Sequence, residues 1–96
     1  MSPKLNDESV KGWLKGRPGW KKKGNTLVKE FQFASFRNAI VFVNRLATIA
    51  DEAHHHPDID IRYQTVRVAL TTHDSGGLTP KDLSVAETID FATSSR

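Results

Sequence analysis

The chain has no cysteine, a single methionine, a single tyrosine and only two tryptophans in 96 residues. Without cysteine, neither a disulfide nor a zinc thiolate can hold it together. No window approaches the roughly 18 apolar residues of a membrane span. The segment Met1 to Val10 is polar and has no apolar stretch of the secretory kind. These absences point to the cytoplasm. There is no internal repeat, no low-complexity tract and no linker long enough to separate two units, so residues 1–96 read as a single domain. Apolar residues make up 38% and charged residues 26%, a balance that excludes a disordered or fibrous chain. So short a chain buries a smaller share of its surface than a larger domain would. One compact core must supply its stability, with self-association as the means of extending it.

The formal net charge is +3 and the sequence pI about 9.5. Lys21, Lys22 and Lys23 stand beside Trp20, a basic run with an aromatic flank of the kind that can meet phosphates. Three lysines are a small footprint for a nucleic-acid surface. They read better as solvated residues that keep a strand edge from aggregating. Neither nucleic acid nor membrane is expected as a partner.

Punctuation along the chain is regular. Asn6 is placed to cap a first helix, with Val10, Trp13 and Leu14 at helical spacing, ended by Gly16 and Pro18. Gly24-Asn25 marks a hairpin between Trp20–Lys23 and Thr26–Phe33. Leu27, Phe31 and Phe33 share a face of the second strand, which Lys29 interrupts. Ser35 caps the strongest helix. Its expected apolar stripe is Phe36, Ala39, Ile40, Val43, Leu46, Ala47, Ala50 and Ala53, and Pro57 stops it. Ile59 and Ile61 alternate with polar residues, as do Val66, Val68 and Leu70, which predicts two half-buried strands joined at Tyr63-Gln64-Thr65. Gly76-Gly77 ends this region. Thr79-Pro80-Lys81-Asp82 opens a last helix with a capping threonine, proline at the first position and an acid at the third; Leu83, Ala86 and Ile89 face inward. The order α-β-β-α-β-β-α indicates an α+β fold: a single-layer, four-stranded antiparallel sheet with helices on one face.

Four histidines concentrate the chemistry. His54, His55 and His56 end the long helix before Pro57, and His73 ends the last strand. If the strands between them form a hairpin, His73 returns toward its start and both groups line one cleft. Asp51 and Glu52, on the last helical turn, are placed to orient an imidazole. Three readings compete. Histidines titrate near neutral pH and suit acid–base catalysis. A metal site is the second reading, but consecutive side chains diverge and no zinc spacing such as HExxH is present. The third is structural: histidines at a helix C-terminus favour its dipole. That accounts for His54 alone and leaves His73 unexplained.

The residues carry a resemblance. Asp51, three residues, His55-His56-Pro57, five residues, Tyr63, nine residues, His73, eight residues and Asp82 follow one another. This pattern resembles the signature of the pterin-4a-carbinolamine dehydratase family, and Thr71–Thr79 resembles that family's Thr-His…Gly-Leu-(Thr/Ser) segment. Trp20, Phe31-x-Phe33-x-x-Phe36 and Ala39–Val43 match it more loosely, so the resemblance runs from about Leu14 to Phe91. It departs at three places. Asp51 is a glutamate in many relatives, Ile59 stands where some carry tryptophan, and His54 is an additional histidine.

The resemblance implies dehydration of a 4a-hydroxytetrahydropterin (4a-hydroxytetrahydrobiopterin) to the quinonoid dihydropterin, with no cofactor and no metal. An aromatic amino-acid hydroxylase system would supply the substrate, and the chain would form a homodimer or homotetramer. One proton must reach the leaving oxygen and one must leave N5, tasks that suit imidazoles. His55 and His73 are expected to exchange these protons, and His56 to hold the ring with some catalytic share. These roles can be permuted among the three. Asp51 is expected to orient a histidine. Pro57 sets the turn that aims the histidines, with Tyr63 packed there, and Asp82 caps the last helix or joins the site. Family members also serve as protein-binding partners, including a dimerisation cofactor of a transcription factor in animals. A non-catalytic pterin-binding or adaptor module is therefore the alternative.

Overall fold

The computed structural model describes residues 3–94. Helix α1 (Asp7–Leu14) precedes a hairpin of β1 (Lys21–Lys23) and β2 (Thr26–Gln32). Helix α2 (Phe36–Ala53) leads to a second hairpin of β3 (Asp58–Arg62) and β4 (Thr65–Leu70). A 3-10 turn (His73–Ser75) and α3 (Pro80–Ser94) follow. The strands form one antiparallel sheet in the order β1-β2-β4-β3. The expected α+β architecture and element order are therefore observed. Among the described residues no helix is long and apolar enough to cross a membrane.

Register explains why the helices occupy one face. Leu27 pairs with Leu70 and Phe31 with Val66, which puts the apolar side chains of β2 and β4 on the same side. There they join Val10 of α1, Phe42 and Leu46 of α2, and Val85 and Ile89 of α3 in one core. On the opposite face, Glu30 and Asp60 flank Arg67 from the two neighbouring strands, so that face carries charge. β1 is an all-exposed edge of three lysines, the arrangement that discourages edge-to-edge pairing.

Lys29 does not break the β2 register. It keeps its inward place, and its Nζ meets Asp90 Oδ1 of α3 at 2.9 Å. The other oxygen of Asp90 accepts from Trp20 Nε1 at 2.8 Å. The Lys29 ammonium also lies 4.9 Å from the centre of the Phe31 ring, a cation–π distance. Asp90 thus holds both the residue before β1 and the middle of β2 against α3.

Caps fall where the residue types favour them. Asn6 Oδ1 accepts from Ser9 N at 2.8 Å, and Ser35 Oγ from Asn38 N at 3.1 Å. The buried face of α2 differs from the expected stripe. Ala39, Phe42, Leu46 and Ala50 are buried, while Phe36, Ala47 and Ala53 are exposed. Phe42 decides the rotation, because its ring lies 4.8 Å from Phe31 and 4.9 Å from Phe33, separations typical of tilted aromatic pairs. Ile59 and Ile61 are more exposed than half-buried strand residues would be, because β3 is an edge strand of the sheet. The β3–β4 turn is Tyr63-Gln64, with Thr65 already in β4 and Tyr63 at φ 55°.

The Lys29–Asp90 pair sets a stability test. The two side chains are 19% and 28% exposed, so solvent screens part of their attraction. Asp90→Ala leaves a mostly buried ammonium unpaired and is expected to cost about 2 kcal/mol, below the roughly 3–5 kcal/mol of a fully buried pair. Lys29→Met is expected to stay within about 1 kcal/mol of the parent. Urea denaturation measures both, and equal losses would show that the ammonium needs no partner.

Candidate active site

Three chain segments converge beyond the ends of β3 and β4. The first is the C-terminus of α2. His54 ends the helix in the left-handed region, φ 53°, where histidine is one of the few non-glycine residues found with some frequency. His54 N and His55 N then bond back to Asp51 O and Ala50 O at 3.3 and 3.1 Å. This reversal sends His55 inward. The second segment is the loop after β4. Thr72 N donates to Gly77 O at 3.0 Å, and Gly77 N donates to Thr72 O at 3.4 Å, closing a small loop around the 3-10 turn. Gly76 turns it at φ 72°, a conformation that costs glycine little. The third is the start of α3.

Asp82 joins the three. It is fully buried, and its Oδ2 accepts from Thr79 N at 2.9 Å and from Thr72 Oγ1 at 2.8 Å. Its Oδ1 lies 2.6 Å from His55 Nε2, with the imidazole side chain 12% exposed. Thr79 Oγ1 accepts from Lys81 N at 3.3 Å, completing a reciprocal cap. One carboxylate therefore both caps α3 and contacts His55. A second histidine–carboxylate pair lies in solvent: His56 Nε2 is 2.9 Å from Asp51 Oδ1, with side chains 65% and 75% exposed. Aspartate is thus long enough to reach a histidine from position 51.

His54, His55, His56 and His73 line a cleft of about 290 Å³ together with Thr71, Thr72, Asp74 and Lys81. That volume lies near the lower bound of about 300 Å³ for small-ligand clefts. A larger groove, about 570 Å³, runs along the outer side of α2 and α3, but its lining, including Val41, Ile49 and Phe91, offers neither a histidine nor a carboxylate. The histidines gather in the smaller cleft. Among the described residues no group of three or more acids and histidines is placed to hold a metal ion.

The structure brings Asp51, His55, His56, Pro57, His73 and Asp82 to this corner and leaves Tyr63 out. β3 separates Tyr63 from Pro57, about 20 Å at the usual strand rise, and its side chain is exposed. Packing of Tyr63 at the histidines is therefore corrected within one chain. Sequence reasoning passed over the part played by Thr72. Its signal was a hydroxyl two residues beyond the buried Leu70, on the core side of the strand's continuation.

Residues 3–92 match the sequence profile described as pterin 4 alpha carbinolamine dehydratase. The chain belongs to that family. A Chloroflexus aurantiacus protein provisionally named pterin-4-alpha-carbinolamine dehydratase is 50% identical over 88 residues, covering 92% of this chain and 95% of the relative. A Thermomicrobium roseum protein of the same provisional name is 47% identical, covering 86% and 89%. Among solved structures, a transcriptional coactivator/pterin dehydratase from Brucella melitensis superposes with TM-score 0.86 at 28% identity, over 91% of this chain and 95% of that one. A pterin dehydratase-like protein identified as a RuBisCO assembly factor in the alpha-carboxysome superposes with TM-score 0.61 at 25% identity, over 74% and 82%. Family membership thus accompanies more than one described role.

The two carboxylates paired with histidines, Asp82 and Asp51, differ in what their loss costs. Asp82→Ala removes a helix cap, worth about 1 kcal/mol, and strands buried donors, at about 1–3 kcal/mol more. Asp51→Ala is expected to stay within about 0.5 kcal/mol. Thermal unfolding of both variants tests the contrast, and equal melting temperatures would refute the cap.

Proposed function

We propose that the protein is a cytoplasmic hydro-lyase that dehydrates 4a-hydroxytetrahydropterin to the quinonoid dihydropterin and water by histidine acid–base catalysis. The observation that carries this reading is the buried His55–Asp82 pair, at 2.6 Å, in the cleft that His56 and His73 share. In the reaction the N5 proton leaves, the N5=C4a double bond forms, and the C4a–O bond breaks. Hydroxide leaves poorly, so the oxygen must receive a proton as it departs. His55 and His73 carry the two protons, and His56, steadied by Asp51, holds the ring. Lys81 and Asp74 at the mouth can meet polar groups of the pterin substituent.

Stopped-flow absorbance of 4a-hydroxytetrahydropterin decay tests this with wild-type protein, His55→Ala, His73→Ala and EDTA-treated protein. Decay that survives EDTA and falls by about 10²–10⁴-fold in each variant is expected. Wild-type decay no faster than buffer would overturn the catalytic reading. The alternative is then a pterin-binding or protein-binding module, which the described roles of the Brucella melitensis coactivator and the assembly factor favour.

The same reading makes the protein a homodimer or homotetramer. The free edge of β3 carries the exposed Ile59 and Ile61. A second copy pairing antiparallel about Ile61 sets Asp60 of each copy opposite Arg62 of the other, a favourable cross-strand pair. It also brings Tyr63 of one copy opposite Ile59 of the other, two residues from Pro57. Sedimentation is expected to give a multiple of 10.7 kDa for the wild type and the monomer mass for Ile61→Lys. A monomeric wild type would refute the pairing.

A further inference from the structure

We propose that Thr72 is a positioning residue for His55, acting through Asp82, and that this relay makes His55 the proton acceptor of the site. The chemistry of the proposal rests on the dehydratase reading; the relay itself rests on a count of protons. Thr79 Oγ1 accepts from Lys81 N at 3.3 Å and lies 2.9 Å from Thr72 Oγ1; a carboxylate only accepts, so the Thr72 proton is used on Asp82 and the proton between the two hydroxyls is that of Thr79. Thr72 therefore accepts from Thr79, and its single hydroxyl proton goes to Asp82 Oδ2 at 2.8 Å. That oxygen already receives Thr79 N. With Oδ2 filled by two donors, Oδ1 is the atom left for His55, and Asp82 faces it as an acceptor at 2.6 Å.

The consequence for the imidazole is its tautomer. Nε2 donates to Asp82, so a neutral His55 carries its proton on Nε2 and its lone pair on Nδ1. The basic nitrogen is the one turned away from the carboxylate, on a ring that lines the cleft. His55 is thus set to take the N5 proton. As that proton arrives at Nδ1, the N–H electron pair forms the N5=C4a bond. The C4a–O bond breaks, and the oxygen leaves as water with a proton from a second histidine, His73 or His56. The imidazolium formed at His55 is stabilised by Asp82, which orients it as the third member of a catalytic triad does. Solvent then returns both histidines to their starting states. The carboxylate partner of His56, by contrast, is exposed.

Thr72→Val removes the hydroxyl with little change of volume, and Thr72→Ser keeps it. Thr72→Val is expected to lower kcat about tenfold with KM within about twofold, and Thr72→Ser to restore kcat. Two-dimensional 1H–15N spectra of the imidazole rings provide a readout that needs no turnover. The wild type and Thr72→Ser are expected to show His55 protonated at Nε2, and Thr72→Val a mixture of tautomers. A Thr72→Val protein with wild-type kcat and wild-type ring shifts, at equal melting temperature, would overturn the proposal, as would Thr72→Ser failing alongside Thr72→Val. If the wild type has no turnover, the dehydratase reading fails, and the ring spectra alone decide the relay: a wild-type His55 protonated at Nδ1 refutes it.

Discussion

A carboxylate with no solvent contact must be satisfied by the protein around it, and Asp82 is such a group. Its partners come from Thr72, Thr79 and His55. Those residues belong to the loop after β4, the start of α3 and the end of α2. No sheet ladder joins these segments, since the ladder has ended by Leu70 and His55 lies before β3. Burial of one charge-bearing group therefore fixes the corner where the histidines meet. Apolar packing alone would position this corner less specifically, because it is not directional. Hydrogen bonds with a required geometry supply the direction.

Helix α3 repeats the device along its length. Glu87 Oε2 accepts from Trp13 Nε1 at 2.8 Å and from Arg17 Nη2 at 2.7 Å. Asp90 accepts from Trp20 and Lys29. With Asp82, three acids of one helix each bind a different part of the chain: the α2–β3 junction, the end of α1, and the first hairpin. The helix that shapes the site is also the clasp of the N-terminal half. That is why its inward side mixes Val85, Ala86 and Ile89 with carboxylates.

The same mixing decides what could be read from the sequence. Elements with clean periods and caps were legible: the α2 boundaries, the Gly24-Asn25 turn, the β4 alternation and the Thr79-Pro80 start all follow from local preferences. So was the meeting of His55 and His73, because a hairpin must return the chain. The rotation of α2 was not. Ile40, Val41, Phe42 and Val43 are consecutive apolar residues, and only the aromatic partners on β2 select Phe42 as the inward one. Lys29 looked like a fault in β2, because its partner Asp90 lies 61 residues away. Tyr63 follows the histidines closely in sequence, yet a five-residue strand carries it to the other end of the sheet. Asp82 has a local role and a long-range one; local residue preferences display the cap, and only the resemblance to the family motif pointed beyond it.

Two histidine–carboxylate pairs whose imidazoles line one cleft also show how environment divides a single contact. His55 and Asp82 are mostly buried, at 12% and 0% side-chain exposure, in a network that ties the carboxylate to Thr72 and Thr79 as well. Such networks tolerate one arrangement and resist any other. His56 and Asp51 make the same contact, 2.9 Å against 2.6 Å, in full solvent, where an ion pair contributes little and water can replace either partner. The first pair is suited to hold an imidazole in one tautomer and one direction. The second is suited to release its imidazole toward an arriving ring at almost no cost. On the proposed dehydratase reading, a site that fixes one proton carrier and admits a rigid bicyclic substrate uses both kinds, and depth of burial, rather than residue type, distinguishes them here.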